Sequence, residues 1–198
     1  ESVRDTILAV SGLLVEKIGG PSVKPPQPQG YYQHLNFPVR QYHADGGAEQ
    51  WRRGVYVHWQ RQYLHPMLRA FDAPAREDCT ARRSVSNTPQ AALALLNDPV
   101  VVQASRAFAD RILASEQVDD RSRLSWAVRE AVGRWPTDEE IDVLVDLLDE
   151  NRAYYLANPA EADAAAGVSE GTLDSGARAA WTGVARVILN LHETITRE

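Results

Sequence analysis

Two proline-led helix starts, ten residues apart, constrain the fold of this chain more than any other feature. Thr88-Pro89 and Asp98-Pro99 each place a residue that can cap a helix directly before a proline. Proline is favoured at the first helical position because the N–H that it lacks would have no helical partner there. The pattern therefore predicts two consecutive helices, a short one over 89–96 and a longer one from Pro99, within a central segment 78–114.

The first of these helices is apolar almost all round. The stretch Pro89-Gln-Ala-Ala-Leu-Ala-Leu-Leu96 contains no charged side chain. Such a helix is expected to be buried on most sides. The second helix carries its apolar residues at helical spacing. We therefore expect both helices to lie at the centre of a mainly α-helical domain.

The composition limits the classes of function that this chain can have. Its 198 residues, 44% of them apolar, suffice for one domain with its own core, which we assign to the whole of 1–198. A formal net charge of −6 argues against a nucleic-acid-binding protein, which normally has a basic surface. No apolar run reaches the roughly 18 residues that a membrane span needs.

The usual signatures of metal binding and of nucleophilic catalysis are absent from the sequence. The five histidines are scattered, and the single cysteine, Cys79, excludes an internal disulfide and a multi-cysteine metal site. Nearby arginines could make the Cys79 thiol reactive, but no histidine base is close in sequence, so a small buried residue is the favoured interpretation. We expect no metal and no cofactor within this chain.

Helical periodicity predicts five further helices, at 2–10 or 2–14, 121–133, 137–157, 159–166 and 175–194. Ser11-Gly12 is a candidate end or kink for the first of them. Thr137 and Glu140 have the spacing of a capping box. The acidic block 138–150 is expected to be an exposed face of the helix that this box begins.

Two segments do not follow the helical pattern. Residues 21–50 contain five prolines and several aromatic rings, which predicts a long ordered loop over the helical core; the alternative is a loop whose rings face a ligand. Residues 51–61 are rich in β-branched and aromatic side chains that alternate. They predict a small β element that pairs with 39–42, with a helix over 48–63 as the alternative.

Arginine and aromatic side chains supply a candidate ligand site. Arginines beside aromatic rings suit an anion or a stacked sugar, but they also suit a hydrophobic core. The polar residues before Pro89 have a structural alternative, in which they tie the loop 78–88 to helix ends. The candidate ligand-binding residues are Trp51, Arg53, Tyr56, Arg61, Arg82, Arg83 and Asn87.

Several motifs in a fixed order resemble one known family. They include Gly19-Gly-Pro-Ser22, Arg52-Arg-Gly-Val-Tyr56, Phe71-Asp-Ala-Pro74, Ala180-Trp181 and the long run from Arg82 to Pro99. Together they resemble the planctomycete cytochrome-associated PSD domain, domain of unknown function 1553. The family usually has an aspartate where this chain has His192 and a bulky apolar residue where it has Thr194. No catalytic residues are known for the family, so none is transferred.

The resemblance implies a setting and leaves two functions open. Such domains usually form the C-terminal part of large exported proteins, often with an upstream haem-type cytochrome module. We therefore expect a C-terminal portion of such a domain, exported to the periplasm or cell surface, with no haem of its own. It is either a docking or architectural module that contacts the upstream modules, or a carbohydrate- or anion-binding domain or enzyme, with sulfated polysaccharide as the candidate ligand.

Overall fold

Helices dominate the structure, a computed structural model that describes residues 1–32, 41–60, 63–75, 79–84, 86, 88–167 and 174–196. Within these ranges the prediction of a mainly α-helical domain is confirmed. The α-helices are α1 (Ser2–Ser11), α2 (Pro66–Ala70), α3 (Pro89–Asn97), α4 (Pro99–Leu113), α5 (Asp120–Val132), α6 (Asp138–Ala157), α7 (Pro159–Ala166), α8 (Ser175–Leu189) and α9 (His192–Ile195).

The tandem helix starts form as the sequence predicts. The Thr88 hydroxyl accepts a hydrogen bond from the N–H of Ala91 at 3.2 Å, and the Asp98 carboxylate accepts one from Val100 at 2.8 Å. Asp98 is both the C-cap residue of α3 and the N-cap residue of α4. The chain therefore changes direction between the two helices without any connecting loop.

The core is built around α4 and α8. Helix α8 packs against α4, α6 and α7, while α4 also contacts α1 and α5. The largest side chains at the centre, Trp181 of α8 and Phe108 of α4, are almost completely buried. Burial of large apolar side chains is the main stabilising contribution in a domain of this size.

The prediction that α3 is buried on most sides is wrong. Only Ala91 and Leu95 of this helix are buried, whereas Leu93 is 56% exposed and Leu96 is 42% exposed. The main neighbours of α3 are α2 and α4. These two helices cover the stripe formed by Ala91 and Leu95, which are four residues apart. Leu93 and Leu96 face outwards.

The predicted strand over 51–61 is also wrong. Short 3-10 turns span Gly47–Trp51 and Gly54–Tyr56, and the β structure of the described residues consists of two isolated parallel bridges, Val15 to Arg52 and Val23 to Val57. The N–H of Gly54 donates to the Asp5 carboxylate at 2.6 Å, which turns the chain between the bridges. Part of the proposed partner, 39–40, lies outside the described residues.

The remaining boundaries lie close to their predictions. Helix α1 ends at Gly12, which has φ 78°, a conformation that favours glycine. The capping box of α6 forms, since Thr137 and Glu140 exchange both hydrogen bonds. The predicted helix 175–194 is instead divided, because Asn190 ends α8 and the chain turns before α9.

His192 and Thr194, the two positions at which the resemblance implies other residues, both lie within α9. His192 is exposed, whereas the Thr194 hydroxyl is buried and donates to the carbonyl of Ile188 at 2.9 Å. Threonine at this position therefore ties α9 to the end of α8. Of the helices described, none combines the length and apolar character that crossing a membrane requires.

Candidate functional site

Arg52 is the most deeply buried cation among the described residues, and it holds the turn that follows α1. Its side chain is fully inaccessible. The guanidinium donates to the carbonyls of Pro21 at 2.8 Å, of Lys17 at 3.2 Å and of Gly19. The centre of the guanidinium also lies 4.0 Å from the centre of the Tyr56 ring, at cation–π distance. Arg52 therefore serves the architecture of this region.

Arg4 of α1 holds the same region from the other side. It is buried, and it donates to the carbonyl of Arg52 at 2.5 Å and to that of Gln50 at 2.6 Å. Burial lowers the pKa of the Arg4 guanidinium, and the Asp5 and Asp98 carboxylates oppose this effect. Arg4 and Arg52 together connect α1, the 3-10 turns and the segment 17–21 through backbone carbonyls.

Arginines also connect distant segments in the helical core. Arg178 of α8 forms two hydrogen bonds to the Asp110 carboxylate, at 2.7 and 2.8 Å, and also donates to the carbonyl of Ala166. Arg106 donates to the carbonyl of Ala165 at 2.8 Å, and Arg186 donates to that of Leu96. Each arginine joins segments that are distant in sequence, and several satisfy the carbonyls at helix ends.

The predicted ligand-site residues make separate contacts within the protein. Arg53 is 53% exposed, and a carboxylate oxygen of Glu16 lies 3.9 Å from its guanidinium. Arg83 forms an ion pair with Glu1 at 2.6 Å. The Tyr56 hydroxyl accepts from the N–H of Gly19 at 2.8 Å. Trp51 is half-buried and Arg82 is exposed.

Two of the seven predicted residues, Arg61 and Asn87, lie outside the described residues. Gly54, the residue after Arg53, lies against Glu1, since a Cβ built on Gly54 would be 2.9 Å from the Cβ of Glu1. Glu1 is also the ion-pair partner of Arg83. A ligand site composed of the seven residues stays a prediction.

The described residues contain no group of three or more His, Cys, Asp or Glu side chains arranged to hold a metal ion. Cys79 is exposed, so its predicted burial is wrong. The polar residues before α3 act partly as the structural alternative predicts, since the Asp72 carboxylate accepts from both the N–H and the hydroxyl of Ser86, at 2.7 and 2.6 Å. These contacts attach the loop to the end of α2.

A buried ionisable cluster lies where α1, α2 and α4 approach one another. It comprises His65, Asp98 and Arg4, whose charges act on one another. Burial lowers the pKa of the His65 imidazole, while burial raises the pKa of the Asp98 carboxyl. The Nε2 atom of His65 lies 3.0 Å from the carbonyl oxygen of Pro26, which fits a neutral imidazole that donates to the long loop.

The buried His65 should make the protein less stable in mild acid. An unfolded chain protonates histidine near pH 6.5, whereas folded His65 takes up its proton only at a lower pH. Between these values the unfolded state holds more protons, so the free energy of unfolding should fall as the pH drops below about 6.5. Urea denaturation at successive pH values measures this dependence.

The variant His65→Gln isolates this contribution. Asp98 acts with the opposite sign in the pH range above 3.8, because its raised pKa lets the folded state hold more protons there. Subtracting the pH dependence of the free energy of unfolding of His65→Gln from that of the wild type removes most of the Asp98 contribution. The matched control is His192→Gln, at an exposed histidine. Identical pH dependence in wild type and His65→Gln would contradict the assignment.

The outer side of α3 forms an uncovered apolar surface. We call it the α3 face and define it by Ala92, Leu93 and Leu96, all exposed. Val187 of α8 is exposed as well. It follows Arg186, which donates to the carbonyl of Leu96. The helix is fixed beneath this surface by the Thr88 cap and by Leu95. The sequence signal for this surface is the apolar character of α3, which by itself predicts burial.

Comparison with known proteins identifies the family. Comparison with curated proteins and with solved structures gives no match. Residues 1–148 match the family model of PSD1, described as a protein of unknown function, DUF1553. The match runs from α1 into α6 and contains the tandem helix starts, the Arg4 and Arg52 contacts and the α3 face. The chain therefore belongs to the PSD1 family of proteins of unknown function.

Proposed function

We propose that this domain is a non-enzymatic docking or architectural module, and that its α3 face binds another module of the same polypeptide. The observation that supports the proposal is the exposure of Leu93 and Leu96 on a helix without charged residues. An apolar helix face fixed on a folded domain is the kind of surface that packs against a neighbouring domain.

Three buried arginines serve the architecture of the domain and do not form part of the predicted cationic site. Arg4, Arg52 and Arg178 are buried and donate to carbonyls or carboxylates of the domain itself. A guanidinium that already holds several acceptors would have to give them up in order to bind an anion. These arginines connect distant segments of the domain, and a pre-organised domain binds a partner with less loss of conformational entropy.

The setting of the module is part of the proposal. The resemblance to cytochrome-associated PSD domains supports an exported protein, in the periplasm or at the cell surface. In that setting an upstream module would carry the haem, and this domain would contribute contacts without a cofactor of its own. The docking partner is then the upstream part of the same polypeptide, through an apolar surface that complements the α3 face.

Aspartate substitutions on the α3 face test the docking proposal. The 198-residue chain and the upstream modules would be produced separately, and their association measured by isothermal titration calorimetry. We expect the double variant Leu93→Asp/Leu96→Asp to weaken binding by at least tenfold, because burial of one leucine side chain contributes about 1.5–3 kcal/mol. The double variant should keep the circular dichroism spectrum of the wild type, since both side chains are exposed.

The matched control is Val143→Asp/Leu156→Asp on α6, where the two side chains are 67% and 84% exposed. This control should bind as the wild type does. Absence of any association, or equal weakening by the two double variants, would contradict docking through the α3 face. Sedimentation of the 198-residue chain as a dimer that the α3 variant dissociates would identify a second copy as the occupant instead.

A further inference from the structure

His65 joins the long loop to the start of α2. It is 5% exposed and is the N-cap residue of α2. Its Nε2 atom lies 3.0 Å from the carbonyl oxygen of Pro26, and the carbonyl of the preceding residue, Leu64, accepts from the Tyr31 hydroxyl at 2.9 Å. Two polar contacts at adjacent positions therefore hold the loop stretch 26–31 against α2.

Helix α2 in turn supports α3, which carries the α3 face. The two helices pack together, and Met67 of α2 and Leu95 of α3 belong to one buried cluster. Beyond the end of α2, the Asp72 carboxylate accepts from the N–H and the hydroxyl of Ser86, two residues before the Thr88 cap. A movement of α2 therefore removes support both from beneath α3 and from the segment that leads into it.

The packing around His65 is partly separate from the helical core. Leu64 and Leu68 form a small buried cluster with Val57, distinct from the core cluster that contains Phe108 and Trp181. Helix α2 has five residues, and its main helical neighbour is α3. Small units with few contacts to the core open at a lower free energy than the core itself. We therefore expect α2 and α3 to open before α4 and α8 separate.

Two charged groups within the described residues act on the His65 imidazole, namely Arg4 of α1 and Asp98 at the junction of α3 and α4. The Asp98 carboxylate already accepts from the N–H of Val100 at 2.8 Å, as the cap of α4. The Arg4 guanidinium already donates to two backbone carbonyls. The loop contributes the uncharged carbonyl of Pro26. These groups accommodate a neutral imidazole.

Protonation of His65 adds a buried charge without adding a partner for it. Nε2 donates in both the neutral and the charged ring, so the bond to Pro26 persists, but Nδ1 gains a proton that needs an acceptor. The ring also becomes a second buried cation near Arg4, and an unpaired buried charge is costly. Burial raises the pKa of the Asp98 carboxyl, so falling pH also removes the negative charge that would compensate the imidazolium.

We propose that His65 is an acid-sensitive switch for the α3 face. Its protonation releases α2 and the loop stretch 26–31 from the core, because the charged ring then reaches water. Helix α3 loses the support that α2 gives it, and docking weakens in proportion to the fraction of open chains. The effect on docking rests on the proposed function, whereas the release of α2 does not.

Hydrogen exchange of the 198-residue chain at pH 7.5, 6.5 and 5.5 tests the release. Measured rates are divided by the intrinsic rates at each pH, and the informative amides are those of α3 and those of Arg69, Asp72 and Ala73, which are hydrogen-bonded in and beside α2. We expect their opening constants to rise up to about tenfold between pH 7.5 and 5.5, because the open state binds one more proton. At each pH these amides should be at least tenfold less protected than those of α8.

Addition of the upstream modules connects the switch to docking. A partner that binds only the closed state suppresses opening, so the α3 amides should gain protection, roughly a hundredfold at a partner concentration of about 100 Kd. The double variant Leu93→Asp/Leu96→Asp should show no such gain. Absence of the gain in the wild type would contradict docking through the α3 face, whereas exchange of the free chain alone decides whether the switch exists.

The variant His65→Gln separates the switch from other effects of acid. Its side-chain amide can donate to the Pro26 carbonyl but takes up no proton, so the opening constants of α3 should no longer rise in acid. His192→Gln, at an exposed histidine, should retain the rise seen in the wild type. Protection of α3 equal to that of α8, opening constants that stay constant in acid, or the same rise in His65→Gln would each overturn the proposal.

Discussion

Replacement of Arg52 by methionine is expected to lower the free energy of unfolding by about 3–5 kcal/mol. Methionine fills much of the same space, but it donates no hydrogen bond. The substitution would leave the carbonyls of Pro21, Lys17 and Gly19 without the donor that now serves them and would remove the contact with the Tyr56 ring. We expect the segment 17–21 to detach from the 3-10 turns as a consequence.

The adjacent residue provides the control for this prediction. Arg53 has the same side chain and the next position in the chain, but it is 53% exposed and its guanidinium lies 3.9 Å from the carboxylate of Glu16. Arg53→Met should change the free energy of unfolding by less than about 0.5 kcal/mol, since exposed ion pairs contribute little. Urea denaturation followed by circular dichroism measures both variants. Equal effects of the two substitutions would show that the Arg52 contacts do not stabilise the fold.

Local sequence signals predicted the helices well. Thr88-Pro89, Asp98-Pro99 and the capping box at Thr137 give the starts of α3, α4 and α6, because a cap depends on a side chain and an N–H only two or three residues away. The apolar periodicity of α4 likewise gave its buried side. These features are determined within a few residues of the chain, and a single sequence contains all of the information about them.

The roles of the arginines could not be predicted in the same way. Arg52 and Arg53 are neighbours with the same chemistry, and only the partners decide which of them is buried. The carbonyls that Arg52 binds lie more than thirty residues away in sequence. The 3-10 turn before Arg52 and the contact of Gly54 with Asp5 set its direction, and neither has a periodic signal. The candidate site therefore included Arg53 and omitted Arg52.

The position of α3 shows a second limit of sequence patterns. Apolar residues on every side of a helix indicate that the helix needs neighbours, but they do not show whether those neighbours belong to the same domain. In this domain α2 and α4 cover one stripe, and Leu93 and Leu96 remain exposed. If the α3 face docks onto another module, the sequence correctly indicated a buried helix, and the domain alone supplies only part of the burial.

Replacement of Trp181 by alanine is expected to lower the free energy of unfolding by about 3–5 kcal/mol. This indole is 1% exposed in α8, which packs on α4, α6 and α7, so its removal leaves a cavity where these helices meet. Trp181→Phe should cost about 1–2 kcal/mol, because it removes less volume. Trp135→Ala is the matched control. This tryptophan is 60% exposed, and the centre of the Arg129 guanidinium lies 4.2 Å from the centre of its ring. Its loss should lower the free energy of unfolding by at most about 1 kcal/mol. Urea denaturation gives all three values, and a cost for Trp181→Ala no greater than that for Trp135→Ala would contradict a core centred on α8.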